Sequence, residues 1–166
     1  MKRRLTILAL TTLTTMALIS AVFTAPSPAL SDGATQISGI GSYEGSAECT
    51  DLEGASYTYT MTGDLTGCVY ASIETARCSQ GGAYLETGTE TFVGLYNGQP
   101  GTFRTNYVFT ATYRDCPNFV GEIAGRCQHP IAAGSGTGVF EGVRGRYDMK
   151  DDVIVGNFPY RGHLQF

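Results

Sequence analysis

The sequence predicts an all-β protein: an antiparallel sandwich or closed barrel of about eight strands, with the barrel favoured. Three observations lead there. After residue 35 no segment carries apolar residues at i, i+3, i+4 and i+7 over three turns, so helices are not expected. Several runs alternate apolar or aromatic residues with polar ones at period two, as half-buried strands do. The chain holds 22 glycines, many inside those runs. There they suit the sharp bends of a small barrel better than a flat sandwich.

The first 31 residues are expected to lie outside the domain. Lys2, Arg3 and Arg4 are followed by an uncharged apolar and threonine run, Leu5 to Phe23, and then by "TAPSPALS". That is the layout of a secretory signal peptide, with cleavage after Ala29 or Ser31. Residues 32–166 then form one β domain of a secreted or periplasmic protein. No later stretch is apolar enough to span a membrane. Three of the eleven basic residues belong to the leader, leaving eight against fifteen acids, a net charge of about −7. Such a surface repels nucleic acid and anionic membranes.

The strands follow in order. "SYTYTMTGDL" from Ser56 alternates aromatic residues with threonine. "CVYASIETARC" runs between Cys68 and Cys78. "AYLETGTETFVGLY" sets Thr87, Thr89, Thr91 and Val93 on one face, and Tyr84, Glu86, Glu90, Phe92 and Tyr96 on the other. "TFRTNYVFTATY" puts Phe103, Thr105, Tyr107, Phe109, Ala111 and Tyr113 on one side, and Arg104, Asn106, Val108, Thr110 and Thr112 opposite. "VIVGNFPYRGHLQF" closes the chain as a last strand, where Pro159 marks an edge or a bulge. Turns separate these runs at "CSQGGA", "YNGQPG" and "RDCPN"; Asn97-Gly98 favours the positive φ of a tight hairpin.

"GSGTGVFEGVRGRYDMKDD", from Gly134, raises the question of a phosphate loop. A dinucleotide fingerprint needs Gly-x-Gly-x-x-Gly between a strand and a helix. Here Gly136 and Gly138 are followed by Glu141 where the third glycine belongs, and no helix pattern follows. The Gly-Lys-Ser/Thr of a Walker loop is missing too. The glycines are expected instead to turn a corner between two strands, with Val143 and Tyr147 in strand parity beyond it.

This stretch, "GSGTGVFEGVRGRYD", together with "GTETFVG…GTFRTNYVF" upstream, resembles the allene oxide cyclase barrel-like superfamily. That group includes plant allene oxide cyclases, dirigent proteins and many small bacterial proteins. The resemblance covers residues 81–166. It implies an eight-stranded antiparallel, calycin-like barrel with a central cavity, often dimeric or trimeric, working without metal or organic cofactor. No residue here matches a catalytic position of those enzymes, so no catalytic role carries over.

A barrel of eight strands either fills with side chains or holds one small ligand. The face of Phe103, Tyr107, Phe109 and Tyr113 fits an apolar cavity lining or equally a packed core. Arg104 and Arg126 would hold a ligand carboxylate if they faced inward, and are surface charges otherwise. Glu90 is expected on the solvated face; turned inward it would be a desolvated carboxyl for acid–base work. His129, before Pro130, is the second candidate of that kind, and His163 is the only other histidine. Asp148, Asp151 and Asp152 lack the spacing of a calcium loop and read as a solvated turn.

Five cysteines remain in the domain. Cys68 with Cys78 and Cys116 with Cys127 each bracket one strand or hairpin and are the expected disulfides; Cys49 is left over as a buried small residue or a reactive thiol. The cysteine spacing makes no zinc site. The leading expectation is therefore a secreted barrel that binds a small apolar or amphipathic molecule and needs no cofactor. The alternatives are a cofactor-free cyclase- or dirigent-like enzyme and a structural protein with a filled barrel.

Overall fold

The computed structural model describes residues 33–166; the expected leader lies outside them. The chain forms β1 (Thr35–Ser42), a single 3-10 turn (Ser46–Glu48), β2 (Tyr57–Gly63), β3 (Leu65–Cys78), β4 (Ala83–Tyr96) and β5 (Gln99–Asp115). Then come β6 (Val120–Pro130), β7 (Thr137–Gly138), β8 (Arg144–Lys150) and β9 (Phe158–Gln165). All pairings are antiparallel, in the order β4-β3-β2-β1-β9-β8-β6-β5, and β5 pairs back onto β4. The result is a closed eight-stranded barrel, with β7 as a short extra strand on β5.

Period-two alternation does most of the work. On β5, Phe103, Thr105, Tyr107 and Ala111 are buried while Arg104, Asn106 and Thr110 are exposed. A register shift between Thr112 and Tyr113 ends that line, so Tyr113 packs instead with Tyr84 and Phe119 beside the barrel's upper end. Gly88 has a packing reason. A Cβ there would stand 2.7 Å from the Tyr107 ring, so only glycine lets that ring cross the strand.

The barrel has two unlike halves. The lower half, where the start of β1, the end of β9 and the β4–β5 hairpin lie, is solid. Phe92, Phe103 and Phe140 stack there with centroids 4.9 to 5.7 Å apart. Leu65, Val143 and Leu164 fill the space around them, all at most 1 % exposed. Each such side chain contributes about 1.5–3 kcal/mol through burial. The glycine-rich stretch forms this floor. Thr137 and Gly138 pair with β5, the chain turns tightly, and Phe140 is driven into the interior. Gly138 takes a φ of 60° at that turn, which a side chain would resist. The next element is β8, not a helix, so the corner expected from the sequence is what forms.

Two expectations need correction. The last strand starts at Phe158, not Val153. Asp152 accepts the N–H groups of Ile154 and Val155, both at 3.1 Å, and Gly156 bonds back to its carbonyl; this closes a loop that leaves Ile154 93 % exposed. β1 carried no signal singled out in the sequence.

The disulfides also pair differently: Cys49 with Cys68, and Cys78 with Cys116. Cys68 and Cys78 lie toward opposite ends of the single strand β3, where ten extended residues put them roughly 30 Å apart. A disulfide tolerates Cα separations only up to about 7 Å. Cys127 faces into the barrel opposite Phe109, while Cys116 sits seven residues beyond Phe109, past the end of β5. Cys127 is thus the free, buried cysteine.

Candidate functional site

The upper half of the barrel is polar inside. Glu90 and Glu86 both point inward from β4, at 3 % and 5 % exposure. The solvated position expected for Glu90 is therefore overturned. Ladder pairing explains it: Glu90 lies directly between Ala71 on β3 and Thr105 on β5. Ala71 is too small to fill the space, and Thr105 donates to Glu90 Oε2 at 3.0 Å.

Two tyrosines and a histidine also converge on the same carboxylate. Tyr59 donates to Oε1 at 3.1 Å, Tyr147 reaches Oε2 at 3.5 Å, and His129 Nε2 lies 3.3 Å from Oε2. His129 is 1 % exposed, and its ring stacks on Tyr147 with centroids 4.3 Å apart and planes at 12°. The two weak sequence candidates, Glu90 and His129, are thus brought together. Glu86 has its own set: Tyr107 donates at 2.7 Å, Tyr57 at 3.2 Å, and Tyr84 also donates. Burial and the nearby Glu90 charge raise the Tyr59 and Tyr147 hydroxyls well above the usual tyrosine range. They stay protonated and act as donors at any ordinary pH.

Above this network is a cavity of about 60 Å³, lined by Tyr43, Tyr57, Tyr59, Glu90, Phe109, Cys127, His129, Met149, Asp151 and Phe158. It shares Tyr43, Asp151 and Phe158 with a wider vestibule of about 380 Å³, to which Glu122, Val153 and Asn157 also contribute. Asp151 and Glu122 meet over Gly125 at this mouth; a Cβ on Gly125 would collide with both carboxyl groups. Burial and the adjacent Glu122 push the Asp151 carboxyl up to about 7. Burial, then Glu90 and Asp151, raise the Cys127 thiol, so it is a poor nucleophile despite lining the cavity.

The other expected site residues separate. Of the six cavity candidates, only Phe109 lines the chamber. Phe103 belongs to the solid lower core, Tyr107 is a buried donor to Glu86, and Tyr113 sits in a small cluster at the upper rim. Arg104 and Arg126 alternate with inward residues and so stand on the outer face. Arg126 pairs there with Asp148 at 3.0 Å, 61 % exposed. Burial alone would raise the Asp148 carboxyl, but hydrogen bonds from Arg146 and Arg126 outweigh it and hold it low. Of the acidic run, Asp148 is paired, Asp152 caps a turn and Asp151 faces the mouth. Among the described residues no cluster of three metal-ligating side chains forms.

Sequence reasoning missed Tyr59, Tyr147, Glu86 and Glu122. For Glu86 the parity with Tyr84 and Phe92 was a signal; for the others the cross-strand register decides. Comparison of the chain with models of known families gives no match, and no curated protein matches it.

Proposed function

We propose that the barrel binds a small amphipathic molecule at its upper end, polar group inward. The observation that carries this is the division of the interior. One end is filled by Phe92, Phe103 and Phe140, and the other holds an aromatic-lined cavity beside a buried carboxylate–imidazole pair. About 60 Å³ accommodates roughly four to six non-hydrogen atoms, on the measure by which one water needs about 10–15 Å³. That suits a head group rather than a whole ligand. The rest of the molecule would lie in the vestibule against Tyr43, Val153 and Phe158. Native mass spectrometry of the mature protein, purified from its own producer, tests this. A reproducible adduct lost on denaturation is expected; a bare protein that also takes up no amphiphile refutes the reading.

The Glu90–His129 pair favours a second reading, a cofactor-free acid–base isomerase. With Nε2 3.3 Å from Glu90 and Nδ1 unpartnered, the tautomer carrying its hydrogen on Nε2 leaves an Nδ1 lone pair for taking a proton, and Glu90 would hold the imidazolium formed. Returning that proton to another atom of the substrate completes an isomerisation. Exchange of substrate hydrogen with deuterated solvent, lost in His129→Gln, tests it.

A further inference from the structure

The head group's chemistry can be read from what lines the two spaces, which share Tyr43, Asp151 and Phe158. We infer that the ligand is an amphipathic amine, bound as its ammonium ion with the charged nitrogen toward Glu90 and His129. This rests on the ligand-binding reading above and extends it.

The first support is charge. Glu90 and Asp151 line the chamber, and Asp151, Asp152 and Glu122 line the vestibule. Among the described residues no lysine or arginine lines either space. A carboxylate or phosphate ligand would meet only like charge there, apart from the His129 imidazole.

Hydrogen-bonding capacity is the second. Three buried side-chain atoms among the described residues have no partner: His129 Nδ1, Glu122 Oε1 and Asn157 Oδ1. His129 lines the chamber and the other two the vestibule. Glu122 Oε1 and Asn157 Oδ1 are acceptors, and His129 Nδ1 is one in the tautomer whose hydrogen sits on Nε2, 3.3 Å from Glu90 Oε2. What complements the site is thus a donor-rich group. An ammonium supplies three donors and the matching charge. Asp151 and Glu122 fit the same logic, since two facing carboxyl groups are stabilised by a shared proton or by a cation.

The third is the wall. Tyr43, Tyr57, Tyr59, Phe109 and Phe158 line the chamber. The Tyr43 and Phe158 rings stand 5.0 Å apart at 76°, and Tyr59 and Phe158 5.8 Å apart at 85°. Rings set edge to face around a small space offer several π faces to one cation. Apolar Val153, with exposed Ile154 and Val155 beside it, gives an alkyl or aryl tail a surface beyond the mouth.

The test is titration calorimetry of the whole mature domain at pH 8 with three probes of equal chain length: octylammonium, 1-octanol and octanoate. We expect octylammonium to bind at least tenfold more tightly than octanol, with octanoate weakest. Octanol binding as tightly as octylammonium, or octanoate binding best, overturns the amine assignment and leaves the ligand-binding reading intact. Binding of none of the three overturns both. Because Glu90→Gln risks the fold, Asp151→Asn with Glu122→Gln at the mouth is the companion variant. It should bring the ammonium-to-alcohol preference down about tenfold, with a melting temperature showing that it is folded. A preference unchanged in that variant, together with an unchanged one in folded Glu90→Gln, also overturns the assignment.

Discussion

Opening the two disulfides should remove a large share of the folding free energy. The Cys49–Cys68 link spans 19 positions and Cys78–Cys116 spans 38. On the chain-entropy relation these loops restrict the unfolded chain by about 3 and about 4 kcal/mol. Together that is about 7 kcal/mol, against about 5–15 kcal/mol for a whole domain. The assay is urea unfolding followed by tyrosine emission, since the chain has ten tyrosines and no tryptophan. With a slope of about 2 kcal/mol/M, Cys49→Ser/Cys68→Ser should lower the midpoint by about 1.5 M, and Cys78→Ser/Cys116→Ser by about 2 M. Proteolysis without reductant should recover peptides linking 49 to 68 and 78 to 116. A 68–78 or 116–127 peptide, or midpoint losses below about 0.5 M, would refute the reasoning.

Phe140→Ala should cost about 3–5 kcal/mol in the same unfolding assay, because a fully buried ring leaves a cavity in the barrel floor. Arg126→Ala should change stability by less than about 1 kcal/mol and leave amphiphile binding intact, as befits an exposed ion pair; weakened binding would return Arg126 to the site. Cys127 should resist iodoacetamide in the native protein and react after denaturation, read by mass; rapid native labelling would contradict its burial and raised pKa. Asp151 has its folded pKa raised above the unfolded value, so the protonated form is the one folding favours. Its contribution is present below about pH 4 and lost as pH rises toward 7, by about 1–2 kcal/mol after discounting for partial exposure. Asp151→Asn should flatten that part of the stability profile, and an unchanged slope would count against the carboxyl pair.

The all-β class was legible because alternation in residues 102–112 survives as the inner and outer faces of β5. The glycine corner was legible for the same local reason: no helix pattern follows it and Glu141 breaks the fingerprint. What escaped depends on which residues sit opposite one another. Nothing local says that Glu90 faces Thr105 and Ala71, so the general preference of carboxylates for solvent placed it outside. The cysteines failed similarly. Spacing along the chain favoured ten- and eleven-residue brackets, whereas the barrel joins the end of β3 to the turn after β5. His129 and Glu90 were each visible as titratable residues, but their contact is set by the register of β4 and β6 on either side of β5.

The pairing of β1 with β9 sets how this chain can reach its fold. Thr35 pairs with Leu164, 129 positions later, and β1 also supports β2 through Gly39 and Ile40. The seam that shuts the cylinder therefore joins the first strand to the last. Until the final residues are available, β1 and β8 each lack a neighbour and the interior carboxylates stay open to water. Contacts of such long sequence separation place folding on a millisecond-to-second scale, and they make it an end-of-chain event. A chain still lacking residues 158–165 would be an open sheet with two sticky margins, and completion of that eight-residue strand removes both at once.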